Sequence, residues 1–276
     1  MSTAAHRIKE SYLLYSFRRD PVAMVSFTVL VVLITIGLLA PLLAPYNPYE
    51  PGNIDIMNSE LPPAWVDAGS VDFLLGTDIQ GRDLLSTMIY GLRVSLLIGC
   101  GAVLLQALLG IVIGLLAGYL GGKVDALLMR LADIQLSFPY LMVAIFISAI
   151  FQLAFGIGRY ESLAVPLLIV IIGLSEWPVY ARTVRASVLG EKSKEYVEAA
   201  RVIGISRRLI MFRHILPNTL TSVLVISTIP VANAVMSEAA LSFWGLGMPI
   251  TKPSRGSLIR SGFEYIFSGS WWITLF

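Results

Sequence analysis

The sequence predicts an all-α, polytopic membrane helical bundle, and three observations carry that prediction. Of 276 residues, 56% are hydrophobic and only 14% are charged, against about 25% charged in an average soluble domain; the mean hydropathy is +0.77. Five runs of 20 or more residues carry at most one charge each. Lipid offers the backbone no hydrogen-bond partners, so a spanning segment is a helix or a closed barrel, and these runs far exceed barrel strands of ~10 residues. Lys and Arg fall unevenly between the connecting segments. So little charge cannot cover the surface of a water-soluble enzyme.

The elements follow in order. Residues 1–21 form an N-terminal arm in which Ile8, Tyr12, Tyr15 and Phe17 stand among basic residues, a pattern suited to a helix lying in the membrane interface. Residues 22–44 form the first span; its apolar core exceeds the ~7–15 residues of a signal peptide, so it reads as a retained anchor. Residues 45–93 begin as an irregular segment rich in Pro, Gly, Asn and acids. From Asp83 an amphipathic helix sets Leu84, Leu85, Met88, Ile89 and Leu92 on one face. Residues 94–276 hold the remaining spans at about 94–119, 134–158, 162–181 and 214–237, with a charged loop at about 182–213. Pro230 predicts a kink in the fifth span, since it has no amide hydrogen.

Fourteen Lys and Arg residues lie on one side of this topology and six on the other. The positive-inside rule makes the fourteen-residue side cytoplasmic, with the N-terminus there. The chain closes on Trp271-Trp272-Ile-Thr-Leu-Phe276. Tryptophans mark lipid–water boundaries, so this stretch reads as the first turns of a sixth helix beyond Phe276, the alternative being an end packed on the bundle.

Chemistry-bearing constellations are sparse. Cys100 is the single cysteine, and His6 and His214 are far apart; no metal spacing, phosphate loop or nucleophile elbow occurs. The net charge of +2 gives nucleic-acid binding no support. Gly110, Gly114 and Gly118 recur at four-residue spacing. They share one helical face, which suits close helix packing within the subunit, or else a pore or subunit contact.

The loop between the fourth and fifth spans is the most informative stretch. Glu195-Tyr196-Val-Glu198-Ala199-Ala200-Arg201-Val-Ile203 reads as a short helix, ended by Gly204 in a left-handed position. Ser206 can cap a second helix that re-enters the membrane. Small Ala199 and Ala200 permit close approach by a partner. On physical grounds the helix is either a docking surface or a solvated, self-packed loop.

Glu198-Ala199-Ala200, three residues, Gly204, then Leu216-Pro217 resembles the EAA loop of bacterial ABC-importer permeases. One departure occurs: His214 stands where the family has Ile, and Ile215 follows it. His-Ile-Leu-Pro-Asn is the form of the peptide and nickel branch. Leu75-Gly76-Thr77-Asp78, Gly81-Arg82-Asp83, Gly118-Tyr119-Leu120-Gly121-Gly122 and Glu238-Ala239-Ala240-Leu241-Ser242-Phe243 are similar to the same branch. From about residue 12 onward the chain resembles the C-type permease of dipeptide, oligopeptide and nickel importers. The resemblance implies the type I importer fold with six spans and a homologous B-type permease as partner. It also implies two ATP-binding subunits docked on the cytoplasmic loops and a periplasmic or lipid-anchored solute-binding protein outside. ATP and Mg would be bound by those partner subunits, with no cofactor in this chain. Tyr196, Glu198, Ala199, Ala200, Arg201, Ile203 and Gly204 would form the coupling helix. The location implied is the bacterial inner membrane.

Two acids fall in apolar runs. A charge at mid-bilayer costs roughly 2.5–3.5 kcal/mol on insertion scales, so it faces a cavity or a partner. Glu176, before Trp177 and Pro178, reads as interfacial or in contact with Arg182. Glu238, with Asn233 and Ser237, either lines a solute path or pins the turn after its helix. Two readings compete with an ATP-driven importer subunit. A secondary transporter or channel would need ion sites in broken helices; a membrane enzyme would need polar residues clustered at one depth.

Overall fold

A computed structural model describes residues 12–276 apart from 51, 53, 250, 251 and 253. The expectations for the arm before Tyr12 lie outside the described residues. Helix α1 (Tyr12–Arg19) leads through Asp20, which caps α2 (Pro21–Leu38) by accepting from the Val22 and Ala23 amides at 2.9 and 3.2 Å. Proline at the first helical position loses no bond there. Helix α2 is almost wholly exposed, as an apolar helix is when lipid or a partner surrounds it. It meets the bundle at Gly37, where an added Cβ would come 3.0 Å from Leu96 Cδ1. After α3 (Ala40–Leu43), the described residues between 44 and 83 follow a mostly irregular path that includes a 3-10 turn at Ile56–Asn58 and an antiparallel bridge between Thr77 and Asp83.

The expected amphipathic helix and second span are one helix, α4 (Leu84–Leu120). At 1.5 Å per residue it runs about 55 Å, well beyond the ~30 Å hydrocarbon core, so its first turns project into the outer segment. Asp83 caps it, accepting from the Ser86 amide at 2.8 Å. After the left-handed pair Gly121 and Gly122, the stretch expected as a loop is a helix, α5 (Gly122–Leu136). Its Lys, Asp and Arg residues lie on one side of an amphipathic helix. Pro139 bars helical geometry at Phe138, and α6 (Tyr140–Phe155) leaves α5 at 89°.

Beyond α7 (Ile157–Ser162), α8 (Ala164–Lys192) extends well past its apolar run. Arg182 and Arg185, expected in the loop, are therefore helical. Arg182 reaches Asp133 at 2.6 Å rather than Glu176, and Arg185 grips both oxygens of Asp125. Helix α9 (Glu195–Val202) follows. A short α10 (Arg207–Leu209), a π-helical turn at Ile210–Ile215 and α11 (Leu216–Ile226) then form one 20-residue span. The wider turn precedes Pro217, which cannot donate; the Leu216 amide bonds back to Met211. The fifth run breaks at Ser227, and α12 (Thr228–Phe243) begins two residues before Pro230. The ring of Pro230 crowds the turn that precedes it, which accounts for a helix break on its N-terminal side. Helix α13 (Arg255–Glu264) and α14 (Trp271–Leu275) close the described chain. Among the described residues, four helices are long and apolar enough to cross a membrane, or five if the bent α5–α6 pair is counted as one span.

The core is the seam of α4 against α8. An added Cβ would come 2.2 Å from Tyr180 Cβ at Gly110, 2.5 Å from the Ala181 carbonyl at Gly114 and 2.9 Å from Val188 Cβ at Gly118. Absent side chains let the two backbones close, as small residues do in lipid. Cys100, expected as an apolar filler, lies exposed on α4. Trp272, expected at a lipid boundary, is buried and donates its ring N–H to the Thr77 carbonyl at 3.2 Å.

Candidate functional site

The loop between α8 and α11 is built to hold one short helix at a set position. Helix α9 ends in a complete Schellman motif. Gly204 sits at φ +86, its amide donates to the Arg201 carbonyl at 3.0 Å, and the Ile205 amide donates to the Ala200 carbonyl at 3.0 Å. Ser206 takes the extended conformation of an N-cap, but its hydroxyl makes no capping bond.

The faces of α9 differ sharply. Val197 and Ala200 are buried and join Ile210, Met211 and Ile215 in the main apolar cluster. Ala200 therefore admits the close approach of its own chain, while Ala199 faces outward. At the far end Val202 and Ile203 are 87% and 77% exposed, with Glu195, Glu198 and Arg201 also exposed. The end of the helix thus presents two adjacent apolar side chains among charged ones.

A chain of hydrogen bonds ties this helix to the spans on both sides. The Tyr196 hydroxyl donates to Glu191 at the end of α8 and accepts from Asn218 Nδ2 of α11 at 3.0 Å; Asn218 also donates to the His214 carbonyl at 3.0 Å. Burial, then the adjoining Glu191 carboxylate, push the Tyr196 hydroxyl above its ordinary range. Glu191 also raises the Lys194 ammonium through their 2.5 Å ion pair. Both groups keep their protons at neutral pH, so the bracket holds.

Glu238 stands far from this loop. It is fully buried, with Ser95 of α4 donating to Oε2 and Ser242 donating to Oε1, each at 2.8 Å. The Met248 amide then donates to Ser242 Oγ at 3.0 Å, so the carboxylate is linked through Ser242 to the turn after α12. Ser237 is buried as well and bonds the Asn233 carbonyl at 2.7 Å; Asn233 keeps partial exposure. No group of three or more His, Cys, Asp or Glu suited to a metal occurs among the described residues.

Sequence reasoning missed two features. The Gln135 side chain of α5 donates to the carbonyls of Leu174 and Ser175 on α8; Pro178 four residues after Leu174 is the signal that could have found it. A second knot joins the irregular outer segment. Arg82 and Asp78 form a buried ion pair at 2.7 Å, and Ser270 donates to Glu60 across 210 residues at 2.7 Å.

Comparison with known proteins bears on what this framework serves. Residues 110–276 match the model of the binding-protein-dependent transport system inner membrane component family. The chain belongs to that family. Residues 11–63 match the N-terminal transmembrane domain of oligopeptide transport permease C. The di/tripeptide transport system permease protein of Pseudomonas aeruginosa (strain UCBPP-PA14) is 36% identical over 258 residues, 94% of this chain and 80% of that relative. The dipeptide transport system permease protein of Escherichia coli (strain K12) is 38% identical over 260 residues, 94% and 82%. That of Haemophilus influenzae (strain ATCC 51907 / DSM 11121 / KW20 / Rd) is 34% identical over 262 residues, 95% and 84%. The chain is thus a C-type permease of the dipeptide/oligopeptide ABC-importer type, a multi-pass inner membrane subunit and not the ATPase. A binding-protein-dependent permease works with further permease, ATPase and solute-binding subunits.

Proposed function

We propose that this permease forms half of a translocation path for short peptides and takes its drive from ATP hydrolysed on partner chains through α9. The exposed Val202–Ile203 tip carries the reading, because it stands on a helix closed by a Schellman motif and bonded to two spans. A push on such a tip moves α8 and α11 together. Tyr196, Glu198, Ala199, Arg201 and Ile203 form or flank the contact surface, Ala200 seats the helix and Gly204 ends it. Two ATP-binding subunits hold ATP and Mg, a homologous B-type permease supplies the other half of the path, and a periplasmic or lipid-anchored binding protein delivers the solute. The basic loop side, with the N-terminus, faces the cytoplasm. Dipeptides and short oligopeptides are the solute class, by analogy with the relatives named above, with nickel complexes as the branch's other cargo. Asn233, Ser237 and Glu238 belong to the path in this reading; the partial exposure of Asn233 supports a place on its surface, with buried Ser237 and Glu238 bracing the wall behind it.

The test is uptake of a labelled dipeptide by the assembled importer in proteoliposomes. Uptake requires ATP and persists when the proton gradient is collapsed. Uptake sustained by a proton gradient without ATP would establish a secondary transporter instead.

A further inference from the structure

Three membrane helices end around one basic pocket. Tyr119 and Leu120 close α4, Lys192 closes α8 and Arg207 opens the 20-residue span that holds Ile210. With Arg201 and Ile205 of the loop they line a cavity of about 510 Å³. It lies where these three helices end. Lys192 donates to the Tyr119 carbonyl at 2.7 Å, with its ammonium 5.7 Å from the Tyr119 ring centre. Arg201 and Arg207 are exposed, and neither makes an ion pair among the described residues. Beside these cations lie the apolar side chains of Leu120, Ile205 and Ile210. A phosphate set against a short apolar body fits that arrangement, and basic pockets between membrane helices bind lipid headgroups.

We propose that this pocket holds the phosphate of an anionic phospholipid, with Arg201, Arg207 and Lys192 around the headgroup and Leu120, Ile205 and Ile210 against its glycerol end. Seated there, the lipid bridges α4, α8 and the base of α9, so its occupancy fixes the angle at which the loop helix is presented. The assignment to the cytoplasmic leaflet rests on the orientation proposed above; the site itself does not.

The assembled importer is reconstituted in nanodiscs of phosphatidylglycerol and phosphatidylcholine, and native mass spectrometry reads the lipid that stays bound. Phosphatidylglycerol is retained in preference. Arg207→Gln weakens that retention about fivefold, the effect of about one cation at a membrane surface, while Arg208→Gln, outside the pocket, does not. Equal retention of both lipids overturns the proposal. So does displacement of the lipid by millimolar inorganic phosphate, which would make this a free-phosphate site. Unchanged lipid retention in Arg207→Gln with faster loss of the ATPase subunits would make it a protein contact. Nanodiscs offer the same lipid on both faces, so retention is independent of orientation. Labelling of Arg208→Cys by a membrane-impermeant thiol reagent in intact cells tests the orientation separately.

Discussion

Gln135 on α5 donates its side-chain amide to the Leu174 carbonyl on α8, the carbonyl that Pro178 leaves without a helical donor. The same amide reaches the Ser175 carbonyl at 3.0 Å. A proline inside a helix removes one backbone bond, and in lipid no water replaces it. Gln135 supplies the donor from a neighbouring helix and thereby locks α5 across α8. Gln135→Leu should lower stability by about 1–3 kcal/mol, the cost of a carbonyl left unbonded. In a Pro178→Ala background the helical amide returns and most of that loss should vanish. Thermal unfolding of the four purified variants gives the coupling; additive effects would show that the bond contributes nothing.

The glycine seam predicts a graded series. At Gly110 an added Cβ meets Tyr180 Cβ at 2.2 Å and the Ala181 amide nitrogen at 2.9 Å, and backbone cannot step aside. At Gly118 the nearest atoms, at 2.9 Å, belong to the Val188 side chain. Gly190, also helical, has nothing within 4 Å. Gly110→Ala should therefore cost about 1–3 kcal/mol as an overpacked site, Gly118→Ala less, and Gly190→Ala should stabilise by about 0.5–1 kcal/mol through helix propensity. Melting temperatures of the three variants check the order.

The long apolar runs were legible because lipid leaves a spanning chain few options, and Gly204 was legible as a helix end because left-handed geometry favours glycine. The α5 helix was not. Residues 120–133 fall between two expected spans, and the contacts that hold Asp125 and Asp133 come from Arg185 and Arg182, remote in sequence. The inward aim of Ala200 and outward aim of Ala199 also depend on Ile210 and its neighbours, which no local pattern reveals. Trp272 reads as a boundary residue in isolation, and only the Thr77 carbonyl explains its burial.

Glu238 and Ser95 are 143 residues apart and joined by a buried bond of 2.8 Å. Removing one partner of a buried charged bond exposes the full desolvation cost of the other. Ser95→Ala should destabilise by roughly 1–3 kcal/mol, and Glu238→Leu by at least as much, since Ser95 and Ser242 both lose their acceptor. Contacting residues couple by about 0.5–3 kcal/mol, so the double variant should lose less than the sum. Chemical unfolding of the two single variants and the double gives the coupling.

Asp83 makes stability depend on pH. Burial raises its carboxyl above the ordinary 3.8, outweighing the Ser86 hydroxyl and amide that favour the ionised form. An acid whose pKa is higher in the fold than in the unfolded chain adds stability below the unfolded value, and that stability is lost as pH rises through the folded value. The wild-type unfolding midpoint should fall from pH 3.8 upward until Asp83 is fully ionised. Asn caps a helix as well as Asp does, so Asp83→Asn should flatten this part of the profile. An unchanged slope in the variant would assign the dependence to another group.

The loop helix separates two kinds of damage. Ala199 faces outward, so Ala199→Arg should leave the melting temperature unchanged yet uncouple ATP hydrolysis from dipeptide uptake in the assembled importer. Ala200 is 5% exposed against the main apolar cluster. Ala200→Arg forces a charge or a large side chain into that seat and should lower stability by about 1–3 kcal/mol as well as uptake. Gly204 at φ +86 has open space around it, so only backbone strain opposes substitution. Gly204→Val should cost roughly 1–3 kcal/mol and lift the Val202–Ile203 tip off its axis, whereas Gly204→Asn, which tolerates left-handed geometry, should keep most uptake. Equal uptake by Val and Asn at 204 would show that the angle of the tip does not matter to transport.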